Sequence, residues 1–217
     1  MSLRLQNKLV KMPYICIKLK RMDLLNYINK GLTYENYIVR VEDELEAEIE
    51  IDDPKEIVQY YALGLQRMNR VFKTFNLTPV QEARIKNTAN NFKFLIITEG
   101  WCGDASQILP VVEKLAVALN VEASYIFRDE NLELMENYKT NGAISIPIII
   151  GVAEDGSELF RFGPRPQYGM DLLHRFKNNP DIYSKEEFHE DLQKYYNNNK
   201  GVDIVNEILD LIDENVQ

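Results

Sequence analysis

The segment of this chain best suited to chemistry centres on Cys102, one of only two cysteines in 217 residues. It reads Glu99-Gly100-Trp101-Cys102-Gly103-Asp104-Ala105 and stands where the hydrophobic run 92–98 gives way to a helical pattern. A cysteine at a helix N-terminus lies beside unpaired backbone N–H groups and the positive end of the helix dipole. Both stabilise the thiolate, which is the reactive species. The pattern therefore indicates a reactive thiol at Cys102.

The residues that flank Cys102 act on its thiol in opposite directions. Trp101 is expected to shield one side, and Gly103 allows another backbone to approach closely. The carboxylates of Glu99 and Asp104 stand near enough to raise the thiol pKa, so the sequence leaves the sign of the net shift open. These two carboxylates are also candidates for proton handling, although an acid such as Asp104 at a helix start is common as a cap alone.

The second cysteine, Cys16, lies in a basic leader. Residues 1–21 hold six Lys and Arg and no acid, whereas the remaining residues hold 19 basic and 34 acidic side chains. The apolar stretch Tyr14-Ile15-Cys16-Ile17 is too short for a signal peptide, so we expect a loosely ordered leader and a cytoplasmic protein. Two cysteines cannot form a disulfide framework. Cys16 is either a distant resolving thiol or, as we favour, an incidental residue.

Charge and composition exclude several classes of protein. With 25 basic and 34 acidic residues the net charge is −9, which argues against a nucleic-acid partner. No apolar run approaches the roughly 18 residues that a transmembrane helix needs. His174 and His189 have no second ligand at metal spacing, so we interpret them as surface residues and expect no metal site.

The elements that must position Cys102 follow from the hydrophobic periodicity. From Met22 to about Asn90 the spacing predicts helices, with starts at Thr33, Asp52-Asp53-Pro54 and Thr78-Pro79. The longest apolar stripe, which we interpret as core together with Tyr60, carries Ile57, Tyr61, Leu65, Met68, Val71, Phe72 and Phe75. This block has no glycine-rich linker after it and is expected to pack on the next domain.

Beyond this block, strands and helices alternate. We predict strands at 92–98, 121–127, 146–150 and 158–162, and helices at 104–119, 132–139, 168–177, 185–197 and 202–214. The order β-α-β-α-β-β-α predicts an α/β sheet that begins parallel and ends in an antiparallel hairpin.

Trp101-Cys102-Gly103-Asp104-Ala105 after a hydrophobic strand resembles the Trp-Cys-Gly-Pro-Cys active site of thioredoxins. Pro110 lies eight residues after Cys102, where the family has a kink-forming proline, and Pro147 lies 45 after it, at the family's cis-proline loop. Gly163 lies 16 residues past Pro147, close to a glycine of the family. The chain also resembles a bacterial branch with a helical N-terminal extension, through the runs Arg128-Asp129-Glu130-Asn131, Thr140-Asn141-Gly142 and Gly163-Pro164-Arg165-Pro166.

The resemblance covers about residues 90–178 and implies a thioredoxin-like fold, with a central mixed sheet flanked by helices. We divide the chain into the basic leader (1–21), a helical extension packed on the core (22–90), a thioredoxin-like domain (91–178) and C-terminal helices (179–217). The resemblance implies that Cys102 is the catalytic residue. The implied site lining comprises Glu99, Trp101, Gly103, Asp104, Ala105, Ile146 and Pro147.

A cis Ile146-Pro147 bond has its own rationale, because such a loop leaves a backbone edge free to pair with an extended peptide or with glutathione. Arg165 is a candidate contact for an anionic ligand. Arg128 is a second candidate contact, or it forms a structural ion pair with Asp129.

Three departures from the thioredoxin pattern limit what the resemblance implies. Ala105 replaces the resolving cysteine, Asp104 replaces the proline, and Ile96 stands where thioredoxins keep a buried acid. Without a resolving cysteine, a mixed disulfide at Cys102 cannot be cleared by intramolecular attack, so dithiol reduction is not expected.

Three functions stay open. The first is single-cysteine thiol–disulfide exchange with protein or peptide partners, with no bound cofactor and with glutathione or another low-molecular-weight thiol as co-substrate. The second is a redox-inactive binding or adaptor module that uses the peptide edge at Pro147, for which the helical extension is a suitable docking surface. The third is redox sensing or substrate trapping through long-lived mixed disulfides. The sequence does not decide whether the protein is an enzyme.

Overall fold

The computed structural model describes residues 23–49 and 57–216. The basic leader, Cys16 and the helix start predicted at Asp52-Asp53-Pro54 lie outside the described residues. In the described part of the chain, no helix combines the length and apolar character needed to cross a bilayer.

The N-terminal block is helical, as its periodicity predicts. It contains α1 (Leu24–Lys30), α2 (Tyr34–Ile49), α3 (Ile57–Thr74) and α4 (Pro79–Ile85). Thr78 begins α4 with a capping box, in which its hydroxyl accepts the Gln81 N–H and the Gln81 side chain accepts the Thr78 N–H. The helix predicted to reach Asn90 ends at Ile85, because the chain turns there toward the first strand and the next N–H groups bond to carbonyls three residues back.

The predicted α/β sheet is confirmed. Its elements are β1 (Phe92–Thr98), α5 (Ala105–Leu119), β2 (Ala123–Phe127), α6 (Leu132–Met135), β3 (Ile148–Ala153) and β4 (Glu158–Phe162), with strand order β2-β1-β3-β4. β1 pairs with β2 in parallel and with β3 antiparallel, and β3 pairs antiparallel with β4. β3 begins at Ile148 and not at Ile146 as predicted, because Pro147 has no N–H to donate to the ladder.

Three helices follow the sheet: α7 (Gln167–Asn178), α8 (Lys185–Asn199) and α9 (Val202–Asn215). α9 packs on β4 and α5, and α8 packs on α7. The core lies between the sheet and the helices packed on it, including α5, with fully buried Ile96 and Ile97 on β1 and Leu109 on α5.

The helical extension packs directly on the loop that carries Cys102. A Cβ atom added at Gly64 of α3 would lie 2.9 Å from the Gly100 carbonyl oxygen, and one added at Gly100 would lie 2.7 Å from side-chain atoms of both Tyr61 and Val41. Such spacing leaves no room for a larger residue at either glycine. α2 and α3 therefore form one wall around the cysteine loop.

The core interpretation of the α3 aromatics is correct for Tyr61 and for Phe75, which follows the helix, but wrong for Tyr60 and Phe72. Tyr60 is 56% exposed and Phe72 is 38% exposed. Phe72 stacks on Tyr34 with a ring-centroid distance of 5.4 Å. Tyr60 lies on the face of α3 that borders the cysteine loop. The helical period alone therefore wrongly predicted that Tyr60 is a core residue.

Candidate active site

Cys102 lies in the short loop between β1 and α5 and is 7% exposed. Its Sγ accepts the Ala105 N–H at 3.5 Å. The thiol in turn donates to the Ile146 carbonyl oxygen, also at 3.5 Å. The first contact is the helix N-terminal interaction expected from the sequence, and the second requires the protonated thiol, since a carbonyl only accepts.

The structure supplies the sign of the pKa shift that the sequence left open. Burial, and secondly the Asp104 carboxylate, raise the pKa of the Cys102 thiol from 9.0 to about 12. The N–H groups of Ala105 and Asp104 and the Arg165 guanidinium act in the opposite direction. Desolvation therefore outweighs the helix terminus, and the resting site holds a thiol.

Asp104 is the N-cap residue of α5, but its side chain makes no capping hydrogen bond. The carboxylate instead pairs with Arg165, Nη2 to Oδ2 at 2.6 Å, and accepts the Tyr196 hydroxyl at Oδ1 at 2.7 Å. Capping therefore does not explain this buried acid. Tyr196 lies on α8, 92 residues away, so no local pattern in the sequence could identify it as a partner.

Glu99 is buried, but it contacts a different part of the site. Its Oε1 accepts the Asp129 N–H at 2.8 Å and so holds the loop after β2. Burial raises the pKa of Glu99 to about 7 despite this hydrogen bond, and Asp129 adds to the rise. Among the hydrogen bonds of the described residues, none joins the Glu99 carboxylate to Asp104 or to the thiol.

A cleft of about 670 Å³ opens beside Cys102. Of the lining residues that the sequence suggested, Trp101, Gly103, Asp104 and Ile146 border it, and so do both candidate arginines, Arg128 and Arg165. Glu99, Ala105 and Pro147 are buried behind its wall. Sequence reasoning missed the lining residues that come from α3, from the loops before β3 and α7, and from α8: Tyr60, Leu63, Arg67, Ile144, Ser145, Pro164, His189, Leu192, Gln193 and Tyr196.

Arg128 forms the predicted ion pair with Asp129, Nη2 to Oδ1 at 2.7 Å. Its guanidinium also lies over the Trp101 ring, 4.8 Å from the ring centroid. A cation over an indole face stabilises both groups. Arg128 therefore fixes Trp101 at the edge of the cleft.

The loop 144–147 forms the wall opposite the cysteine. The Ile146-Pro147 peptide bond is cis in the structure. Gly163, with a φ of +120°, is so close to this loop that an added Cβ would lie 2.3 Å from the Pro147 carbonyl oxygen. Only glycine fits there, and the chain continues from it directly to Arg165 in the cleft.

His174 lies on α7 and His189 on α8. Both His174 and His189 are exposed, and His189 lies at the rim of the cleft. Within the ranges 23–49 and 57–216, no group of three or more His, Cys, Asp or Glu side chains is placed to hold a metal ion.

The mixed sheet and the cysteine between β1 and α5 define a thioredoxin-like protein, and comparison with known proteins agrees. A family model described as thioredoxin matches residues 51–177, which is more than half of the chain. The chain therefore belongs to the thioredoxin family. The match begins before α3, so part of the helical extension lies within the family region.

Two solved structures share the fold. A protein of unknown function from Pseudomonas aeruginosa, PA1234, is 15% identical, with a TM-score of 0.56, over 89% of this chain and 98% of that one. An HIV epitope-scaffold is 13% identical, with a TM-score of 0.60, over 89% of this chain and 99% of that one. At such identities the likeness concerns the fold alone. No curated protein matched the sequence.

Proposed function

We propose that this protein catalyses thiol–disulfide exchange through a single cysteine, Cys102, and relies on an external thiol to complete the cycle. One observation carries the proposal. The Cys102 Sγ lies at the wall of an open cleft, between the Ala105 N–H and the Ile146 carbonyl oxygen, each at 3.5 Å. A disulfide held in that cleft is within reach of the sulfur from the side opposite α5.

The proposed reaction has two exchange steps. The Cys102 thiolate attacks the glutathione sulfur of a mixed disulfide, so that a bond forms between Cys102 and that sulfur and the partner leaves as a thiolate, which takes up a proton. A second glutathione thiolate then attacks the glutathione sulfur bound to Cys102. Glutathione disulfide forms and Cys102 leaves as a thiolate. In total, the mixed disulfide and one glutathione become the partner thiol and glutathione disulfide. The partner sulfur gains the one electron that the incoming glutathione sulfur loses, and Cys102 is unchanged.

Ala105 is the reason for proposing an external thiol. Its N–H is bonded to the Cys102 Sγ, but its methyl side chain carries no thiol, so position 105 supplies no resolving cysteine. Cys102 is the only free cysteine among the described residues, and it is in no disulfide. Glutathione or another low-molecular-weight thiol is therefore the proposed co-substrate, with glutathionylated proteins or peptides as partners and no bound cofactor.

The raised thiol pKa favours a second candidate, a redox-inactive binding module. With a pKa of about 12, only about one thiol in 10⁵ is ionised at pH 7. In this alternative, the cleft and the loop 144–147 bind a peptide, and the thiol is only a buried side chain. The two candidates differ in whether Cys102 turns over.

Turnover of a glutathionylated peptide in the presence of glutathione separates the candidates. The wild-type protein is compared with Cys102→Ser, which keeps the volume and hydrogen bonding of the site but removes the nucleophile. We expect release of the peptide by the wild type above the uncatalysed rate, increasing with pH, and none by the variant. Equal rates for the two proteins between about pH 7 and 9 would contradict the proposed turnover.

A further inference from the structure

We infer that the cleft binds the carboxylate end of an acidic low-molecular-weight thiol or disulfide, and that Arg67 of the helical extension is the group that anchors it. This inference rests on the proposed function and specifies its substrate class. It also assigns to α3 a direct role in ligand binding, in place of the docking surface considered from the sequence.

Arg67 lies next to the reactive loop. A Cβ atom added at Gly103 would be 3.9 Å from the Arg67 Nη1, so the guanidinium lies beside the residue that follows Cys102. The side chain is half-buried and borders the cleft. Within the described ranges it makes no hydrogen bond or ion pair with another residue. A partly desolvated guanidinium without a partner is costly to hold, and its five donors match a carboxylate.

The electrostatic surroundings of Arg67 also suit an anion. Burial, and secondly Arg70, lower the pKa of Arg67, and Asp104 opposes them only in part. Asp104 is already engaged by Arg165 and Tyr196. Arg67 is therefore the cationic group of the cleft whose charge is not balanced by a bonded carboxylate.

The charge of the residues that line the cleft is opposite in sign to the net charge of the protein. The chain carries a net charge of −9, yet the cleft is lined by three arginines and one acid. Arg128 is paired with Asp129, which leaves Arg67 available. The Arg165 Nε is buried and has no hydrogen-bond partner among the described residues. A second unpaired N–H donor therefore lies near the Asp104 carboxylate. An anion fits this surface, whereas a cation does not.

The size and walls of the cleft favour a small ligand. Its volume of about 670 Å³ lies in the range of small-molecule sites, about 300–1,000 Å³. Apolar surface comes from Tyr60, Leu63 and Trp101, and the thiol lies at the wall. A molecule that brings a sulfur to Cys102 and a carboxylate to Arg67 uses both features. Glutathione has this composition and serves as the probe.

Binding is measured separately from chemistry in the Cys102→Ser protein, by calorimetric titration with glutathione disulfide at low salt. We expect Arg67→Gln in this background to weaken binding about tenfold. Lys73→Gln is the matched control, because it removes one exposed charge from the same helix outside the cleft, and it should change the affinity less than twofold. Glutathione disulfide with esterified carboxylates should bind both Arg67 forms equally and weakly.

Three results would overturn the inference: equal affinity of Arg67→Gln and its parent, undiminished binding of the esterified ligand, or no binding of glutathione disulfide up to about 10 mM. Thermal melting of Arg67→Gln controls for folding. The proposed function fails separately, if Cys102 shows no turnover with a disulfide while glutathione disulfide still binds. Turnover without dependence on Arg67 would contradict only the inference.

Discussion

Arg165 and Asp104 form a 2.6 Å ion pair beside the Cys102 thiol. The two groups act on the thiol in opposite directions, since Asp104 raises its pKa and Arg165 lowers it. Burial is the largest cause of the raised pKa of Cys102 and Asp104 the second, so the resting cysteine is protonated. The reactivity of this site is therefore governed first by burial of the thiol and then by the Asp104 carboxylate, which together outweigh the N–H groups at the helix N-terminus and the Arg165 guanidinium.

Asp104→Asn is expected to lower the pKa of Cys102 and to speed its alkylation. The change removes the carboxylate that raises the pKa and frees the Arg165 charge to favour the thiolate. The rate of reaction with iodoacetamide, followed by mass spectrometry between pH 7 and 10, should increase about tenfold at pH 8, which corresponds to one pKa unit. Asp203→Asn is the control, since Asp203 also accepts a hydrogen bond from a tyrosine hydroxyl, that of Tyr195, but lies away from the cleft. A slower or unchanged rate in Asp104→Asn would show that the carboxylate does not control the thiol.

Glu99→Gln is expected to stabilise the protein at pH 8 but not at pH 4. The pKa of Glu99 is raised from 4.5 to about 7, so the fold favours the protonated acid. Its stabilising contribution is complete below about pH 4.5 and is lost as the pH rises through 7. After discounting for solvent screening, we expect a gain of about 1 to 2 kcal/mol at pH 8, or about 3 to 6 °C in Tm.

The glutamine at position 99 can still accept the Asp129 N–H, so this loop contact is not lost. Urea unfolding of both proteins from pH 4 to 8 measures the difference. A difference between the two that does not vary with pH would contradict the raised pKa of Glu99.

Ala105→Cys is expected to introduce dithiol chemistry. The Ala105 N–H contacts the Cys102 Sγ at 3.5 Å, so a thiol at position 105 begins within a short distance of the nucleophile. We expect an intramolecular disulfide, seen as a loss of two mass units, and dithiothreitol-dependent reduction of insulin that the wild type lacks. Ala116→Cys is the control, a second buried alanine on α5 outside the cleft. Absence of both the disulfide and the activity would mean that the site geometry is not that of a thioredoxin.

The sequence predicts the sheet and the position of the cysteine because both depend on local patterns. Hydrophobic runs mark β1 at both ends and β3 to within three residues, and the strand-to-helix change after Thr98 places Cys102 in the loop just before α5. The start of β3 was misplaced because a hydrophobic run does not register the missing N–H of Pro147.

The walls of the cleft could not be predicted in the same way. Tyr196 reaches Asp104 from α8, and Arg67 reaches Gly103 from α3, through packing between distant segments. The direction of the Cys102 pKa shift could not be predicted from the sequence either. It depends mainly on burial, which is a property of the whole fold and outweighs the effect of the charged residues near the cysteine in the sequence.

The central claim is that Cys102 is a working nucleophile, and the mass of the protein after a single exchange tests it most directly. The wild type is mixed with excess glutathionylated peptide at pH 8, the reaction is quenched with acid, and the protein mass is measured by mass spectrometry. A second sample receives glutathione before the quench. We predict one glutathione on Cys102 in the first sample and its removal in the second, with none on Cys102→Ser. If no glutathione appears on Cys102 while the peptide remains glutathionylated, the cysteine does not exchange and the proposed function is wrong.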